Sequence, residues 1–163
     1  YMFYIILIII FVICCIKKEK FNNIKKVIKP EDNILNQCFS KQELHSFNKY
    51  SSVAKIIKKF NGILYLTPTE YIDELPYIPF TSTGYFVNNL CIDKKFRNQG
   101  NASKLIEYSI NQTKSAKRNY LITQVLEDNY LALKLFKKFG FTELNKSLNQ
   151  FNKNYYVLIK YLN

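Results

Sequence analysis

The chain has 163 residues, 48% of them hydrophobic and 16% aromatic, which is enough for one domain with its own core and too little for two large ones. Its 24 Lys and Arg against 12 Asp and Glu give a formal net charge of +12, which suits an anionic small molecule, an acidic membrane surface or nucleic acid without choosing among them. The four cysteines, Cys14, Cys15, Cys38 and Cys91, make no CxxC pair and the one histidine is His45. Neither a zinc site nor a disulfide framework therefore has its usual spacing, no metal is expected, and a reducing compartment is the simplest reading.

Tyr1 to Ile16, YMFYIILIIIFVICCI, is an unbroken apolar run without a charge, glycine or proline. As a helix it spans roughly 24 Å, slightly less than a hydrocarbon core of about 30 Å. It predicts a hydrophobic helix over residues 1–17 that anchors the chain in a membrane, followed by a domain over residues 18–163. Lys17, Lys18, Lys20, Lys25, Lys26 and Lys29 follow with only Glu19 among them, which places that domain on the cytosolic side. Asn23 to Lys29 has a weak strand pattern. From Ile34 to Phe47, apolar residues recur at spacings near three and four and predict one or two short helices. His45 falls there with no nucleophile or carboxylate beside it, so it reads as structural rather than as a catalytic base.

Val53 to Phe60, then Asn61-Gly62, then Ile63 to Leu66 predicts a hairpin in which Asn-Gly supplies the two positive-φ residues of a type I′ turn. Pro68, Pro76 and Pro79 punctuate a connection that carries Glu70, Asp73 and Glu74 and reads as a loop. Gly84 to Ile92, GYFVNNLCI, is the next strand, and in it Cys91 reads as a small buried thiol. Leu90 to Ile106, LCIDKKFRNQGNASKLI, runs from that strand through a short basic loop with one glycine into a helix over Ala102 to about Thr113. Helix-initial N–H groups lack intrahelical partners and carry the positive end of the macrodipole, so this turn is built to hold an anion. Gly100 permits close approach, Lys94, Lys95 and Arg97 add charge at the mouth, and Ala102 and Ser103 are small. Leu121 to Leu126 reads as a parallel neighbour of the strand at Gly84. Asn129 then opens a helix whose apolar face is Ala132, Leu135, Phe136 and Phe139, Gly140 closes it, and Tyr155 to Leu162 is the closing strand.

The segment RNQGNA, Arg97 to Ala102, preceded by Leu-x-Ile, resembles the Arg/Gln-x-x-Gly-x-Gly/Ala loop of the GNAT superfamily of N-acetyltransferases. Val125 to Phe141, VLEDNYLALKLFKKFGF, resembles that family's later Asn-x-x-Ala helix with its Gly-Phe close. Together the two cover about the middle third of the chain. The resemblance implies a mixed α/β fold, an α+β sheet of the GNAT type, and an N-acyltransferase that takes acetyl-CoA as cosubstrate and passes the acetyl group to an amine by direct attack. It implies coenzyme A contacts from Leu90, Cys91, Ile92, Arg97, Asn98, Gln99, Gly100, Asn101, Ala102, Ser103, Asn129 and Ala132. It further implies that the strands at Leu90 and at Leu121 splay to admit the pantetheine arm, and that a backbone N–H at Leu90 or Cys91 polarises the thioester carbonyl. The family often has tyrosine where this chain has Phe136, and a phenyl ring donates no proton, so Tyr130, Tyr155, Tyr156 or water is the remaining acid.

NGILYLTP followed by NNLCIDKKFRNQGNASKLI is also similar to protein N-myristoyltransferases, which keeps a long-chain donor as an alternative. The absent tyrosine and the lack of a carboxylate near Asn88-Asn89 keep open a GNAT-fold protein that binds without turnover. The lysines are scattered and no reading helix stands out, so no specific nucleic-acid partner is expected. The amine acceptor stays open.

Overall fold

The computed structural model describes residues 53–72, 83–148 and 153–162. The expected anchor over residues 1–17, the lysine cluster, His45, Asp73 and Glu74 lie outside them. Among the described residues no helix is long and apolar enough to cross a membrane. Ala54–Asn163 is one compact unit.

The first hairpin pairs β1 (Lys55–Lys59) with β2 (Gly62–Pro68). Its last pair is Lys59 with Gly62, so the two loop residues are Phe60 and Asn61, at φ 53° and 54°. The turn is of the expected primed kind but sits one residue earlier than expected. Gly62 is needed in the strand instead, because a Cβ there would stand 2.7 Å from the carbonyl oxygen of Cys91 on the neighbouring strand.

A 3₁₀ turn at Thr69–Tyr71 follows β2. Beyond it come β3 (Gly84–Ile92), a 3₁₀ turn at Lys94–Phe96, helix α1 (Asn101–Ser115), β4 (Tyr120–Leu126), helix α2 (Tyr130–Lys138), β5 (Thr142–Leu148) and β6 (Asn154–Tyr161). The strands form one six-stranded sheet in the order β1-β2-β3-β4-β6-β5. Only β3 and β4 are parallel, and α1 is the crossover that parallel neighbours require. The mixed sheet and the parallel pair match expectation.

Both helices bury their apolar stripes on one face of the sheet. Leu105, Ile106 and Ile110 of α1 and Leu133 and Phe136 of α2 join Leu64, Leu66, Val87, Leu121 and Leu158 in a single core. Ser109 and Thr113 lie on the buried stripe of α1, and their hydroxyls are satisfied within the helix by the carbonyls of Ile106 and Ser109. The opposite face carries a second cluster of Phe86, Tyr120, Ile122, Val157 and Ile159.

The ends of α2 show how local sequence positions it. Asn129 caps the start, its side-chain oxygen accepting from the N–H of Ala132 at 3.2 Å. At the other end Gly140 has φ 77°, the N–H of Gly140 donates to the carbonyl of Lys137 and that of Phe141 to the carbonyl of Phe136. This is the Schellman pattern, and the hydrophobic contact that accompanies it is Phe136 against Phe141, ring centroids 5.0 Å apart.

Candidate functional site

The site begins where the sheet opens. Parallel pairing of β3 with β4 runs from Gly84 with Tyr120 to Val87 with Thr123 and stops. On the other side of β3 the register with β2 slips at the same point, Leu66 facing Val87 and Tyr65 facing Asn89, so Asn88 is an extra residue without an opposite number. Such a bulge bends and twists its strand, and here it carries the rest of β3 away from β4. The Thr123 hydroxyl closes the pairing by donating to the carbonyl of Val87 at 3.0 Å.

Beyond the bulge, strand alternation decides which backbone groups face the gap. The N–H of Asp93 donates to the carbonyl of Asn61, so Asp93 and Cys91 direct their polar groups toward the hairpin, and Leu90 and Ile92 direct theirs into the gap. Of the backbone N–H groups of Leu90 and Cys91, that of Leu90 is the one that faces the gap. The carbonyl of Ile92 is taken by the Nε of Arg97 at 3.1 Å. Arg97 thereby braces the loop against the strand end. Cys91 is half-buried, where a small buried thiol was expected.

The loop is held by its own side chains. Asp93 accepts from the N–H of Lys95, Gln99 donates to the carbonyl of Lys95, and Asn101 donates through Nδ2 to the carbonyl of Phe96 at 2.9 Å. Asn98 and Gly100 take positive φ, 60° and 75°, which turns the chain sharply into α1. The first intrahelical bond of α1 runs from the N–H of Lys104 to the carbonyl of Gly100. This leaves the N–H groups of Asn101, Ala102 and Ser103 without an intrahelical partner at the positive end of a 15-residue helix. A Cβ at Gly100 would meet no atom within 4 Å. The loop there is open to a ligand, and glycine is required by its backbone angle.

Gap, loop and helix start enclose one cavity of about 430 Å³ between β3 and α2. Its lining holds Leu90, Cys91, Ile92, Arg97, Asn98, Gly100, Asn101, Ala102, Ser103, Asn129 and Ala132, together with Phe96, Leu131 and Leu135. Every residue expected at a coenzyme A site is thus brought to one place except Gln99, whose amide is turned back onto the loop. Phe96, Leu131 and Leu135 were missed. Leu135 was visible as part of the apolar stripe of α2 but was assigned to the core. Leu131, at 84% exposure, breaks the stripe, and no sequence pattern marks it.

None of the side chains considered as the acid lines this cavity. Tyr130 is 74% exposed and borders a separate hollow with Lys134, Lys137 and Tyr156. The Tyr156 hydroxyl is 3.3 Å from the Glu127 carboxylate, which is held below the usual carboxylate range by its bond to Lys146 and further by Asn154. Tyr155 packs on the sheet face away from the helices. Phe136 is buried in the core by the Schellman contact. Glu70, expected in a loop, forms a two-pronged ion pair with Arg118 at 2.7 and 2.8 Å, and Arg118 also donates to the carbonyl of Gly84. That pair locks the end of the sheet where β3 starts, remote from the gap. No group of acidic, cysteine or histidine side chains arranged to hold a metal occurs among the described residues.

Residues 53–143 match the family model for the acetyltransferase (GNAT) domain. This chain belongs to the GNAT acetyltransferase family. A GNAT family acetyltransferase from Elizabethkingia anophelis, solved with acetyl-CoA bound, superposes at a TM-score of 0.64 with 18% identity, covering 83% of this chain and 92% of that one. The IAA acetyltransferase from Bacillus cereus gives 0.63 with 14% identity over 85% and 95% of the two chains. A chain of the NatC complex, solved with Gag peptide and CoA, gives 0.57 with 18% identity over 89% and 92%. At such identities the likeness is one of fold. No curated protein sequence matches the chain. The described elements are those of a GNAT sheet, with the parallel pair β3 and β4 opening beside the loop that starts α1.

Proposed function

We propose that this GNAT domain transfers the acetyl group of acetyl-CoA to an amine by direct attack. The observation that carries the reading is the meeting in one cavity of three free helix-initial N–H groups and a sheet gap edged by the unpaired backbone of Leu90. The first suits a diphosphate; the second suits an extended amide-bearing arm, which adds to a sheet edge as a strand does. The cavity's apolar wall of Leu131, Ala132 and Leu135 fits the arm's methylene chain.

In this reading Asn101, Ala102 and Ser103 hold the diphosphate through their N–H groups, with Lys94, Lys95 and Lys104 supplying a positive field. The N–H of Leu90 donates to the thioester carbonyl and stabilises the negative charge that develops on it. The amine nitrogen bonds to the carbonyl carbon, the carbon–sulfur bond breaks, the amine's proton passes to solvent and the departing sulfur takes one from water. A thiolate is a tolerable leaving group, so the phenyl ring at Phe136 slows the reaction without preventing it.

Thermal-shift titration of the full chain tests the reading. Saturable stabilisation by acetyl-CoA is expected, rising to about 2.7 kcal/mol at a hundred times the dissociation constant. Gly100→Glu, which places a carboxylate where the phosphates approach, is expected to abolish it. No stabilisation at millimolar acetyl-CoA overturns the proposal. A series of donors from acetyl to myristoyl identifies the acyl group, and faster release of thiol from the long-chain donor replaces acetyl with the alternative.

A further inference from the structure

We infer that the end of the sheet at which the gap between β3 and β4 opens is a membrane-docking surface, and that its partner is an anionic bilayer. The inference stands apart from the acetyl-transfer reading and does not depend on it.

Topology collects exposed apolar side chains at that end. Strands β3 and β4 finish there at Ile92 and Leu126, Gly62 at the start of β2 faces Ile92, and Leu148 pairs with Asn154 where β5 ends and β6 begins. Both helices start there, since α1 follows β3 and α2 follows β4. Among the described residues, the large apolar side chains exposed at this end are Phe60, Phe96, Leu126, Tyr130, Leu131 and Leu148. The opposite end exposes Tyr71 and Tyr161, and each of those ends in a hydroxyl. Leucine and phenylalanine gathered at one end of a domain mark a contact surface. Phe96 and Leu131 flank the cavity, where the cosubstrate's arm has a use for them. Phe60, Leu126 and Leu148 lie outside it. Phe60 stands at one edge of the six-stranded sheet and Leu148 on the other edge strand, about 24 Å apart at roughly 4.8 Å per strand. Single tips spread so widely suit a plane rather than a groove.

Charge selects the kind of plane. Lys59 neighbours Phe60, Lys94, Lys95 and Arg97 surround Phe96, and Lys104 lies in the first turn of α1, all of them exposed. The acids of this end are Asp93, Glu127 and Asp128, and Glu127 is matched by Lys146 at 2.5 Å. The balance is positive, and the positive ends of both helix dipoles point the same way. A bilayer with acidic lipids satisfies both features at once. Leucine and phenylalanine side chains reach the acyl boundary, while ammonium and guanidinium groups stay with the phosphates. Each such charge near the surface strengthens binding about fivefold. Nucleic acid would satisfy the lysines and leave the leucines in water, and a protein partner would have to alternate acids and apolar pockets across the whole width. The run Tyr1 to Ile16 and the lysines that follow it, read as an anchor, set the domain beside the cytosolic leaflet, which is the anionic one. Docking holds the open gap at the membrane surface.

The chain has no tryptophan, so one that is introduced reports its own surroundings. Phe60→Trp, Leu148→Trp and, at the opposite end, Tyr161→Trp are each made in the full chain, and circular dichroism on heating checks that each folds. They are mixed with vesicles of phosphatidylcholine with brominated acyl chains, with or without phosphatidylserine. With phosphatidylserine, emission from positions 60 and 148 is expected to shift to shorter wavelength and to be quenched, since apolar groups of such surfaces sit about 5–10 Å into the boundary. Emission from position 161 is expected to stay as in buffer. The signal is local, so an anchor elsewhere in the chain does not produce it, and either of the first two variants suffices if the other fails to fold. Lys94→Glu combined with Lys95→Glu is expected to abolish the quenching. Quenching at 60 and 148 no greater than at 161 overturns the inference, as does equal quenching without phosphatidylserine. A shift that grows with protein concentration in buffer alone assigns the face to a second copy, and one that RNA produces as fully as vesicles do assigns it to nucleic acid. Either result overturns the inference.

Discussion

Gly62→Ala tests whether the gap is set by close contact between β2 and β3. The added methyl would stand 2.3 Å from Cδ1 of Ile92, 2.7 Å from the carbonyl oxygen of Cys91 and 3.2 Å from Cδ2 of Leu105. The Ile92 side chain can turn aside, but the Cys91 carbonyl cannot, because Cys91 is paired with Ile63 in the ladder. Overpacking of this kind costs about 1–3 kcal/mol. Alanine also restricts the unfolded chain and recovers about 0.4–1 kcal/mol, leaving a net loss centred on about 1.3 kcal/mol. For a domain of this size that lowers Tm by about 3–10 °C, measured by circular dichroism on heating. Strand β3 relieves the clash by moving at Cys91, next to the edge of Leu90, so affinity for acetyl-CoA is expected to fall as well. A Tm at or above the parent's refutes the packing argument, and a lower Tm with unchanged affinity refutes the link from Gly62 to the gap.

Asn129→Ala removes the cap on α2 and is expected to cost about 1 kcal/mol in urea unfolding, with Asn129→Asp retaining most of the stability. Tyr130→Phe is expected to leave the acetyl-transfer rate unchanged, since Tyr130 lies outside the cavity; a large loss in the thiol-release assay returns it to the reaction. Glu70 is held below its ordinary 4.5 chiefly by the bond from Arg118. Because the folded value is depressed, its stabilisation is complete above about pH 4.5 and lost as pH falls through the folded value. The stability difference between parent and Glu70→Gln, followed by acid unfolding, is therefore expected to be constant near neutrality and to shrink below that pH. Partial exposure keeps it under about 1 kcal/mol.

Much of the site was legible because its chemistry is local. The loop from Arg97 to Ser103 and the cap at Asn129 are short-range devices, in which a glycine at positive φ and a side-chain oxygen three residues before an N–H impose their geometry on the chain around them. The parallel strands on either side of α1 follow from the same local order of strand, turn and helix. The hairpin turn was misplaced by one residue for the opposite reason. Asn-Gly has the right local preference, but the requirement on Gly62 comes from Cys91 on another strand, about thirty positions away.

The residue pattern by itself determined the order of the described elements, the strand–turn–helix passage at Gly100 and the family, since each rests on preferences acting within a few residues. Which backbone edge faces the gap and where Tyr130 and Phe136 lie were decided only by tertiary structure. Each depends on the register of β3 against its neighbours, and a bulge of one residue redirects every group beyond it.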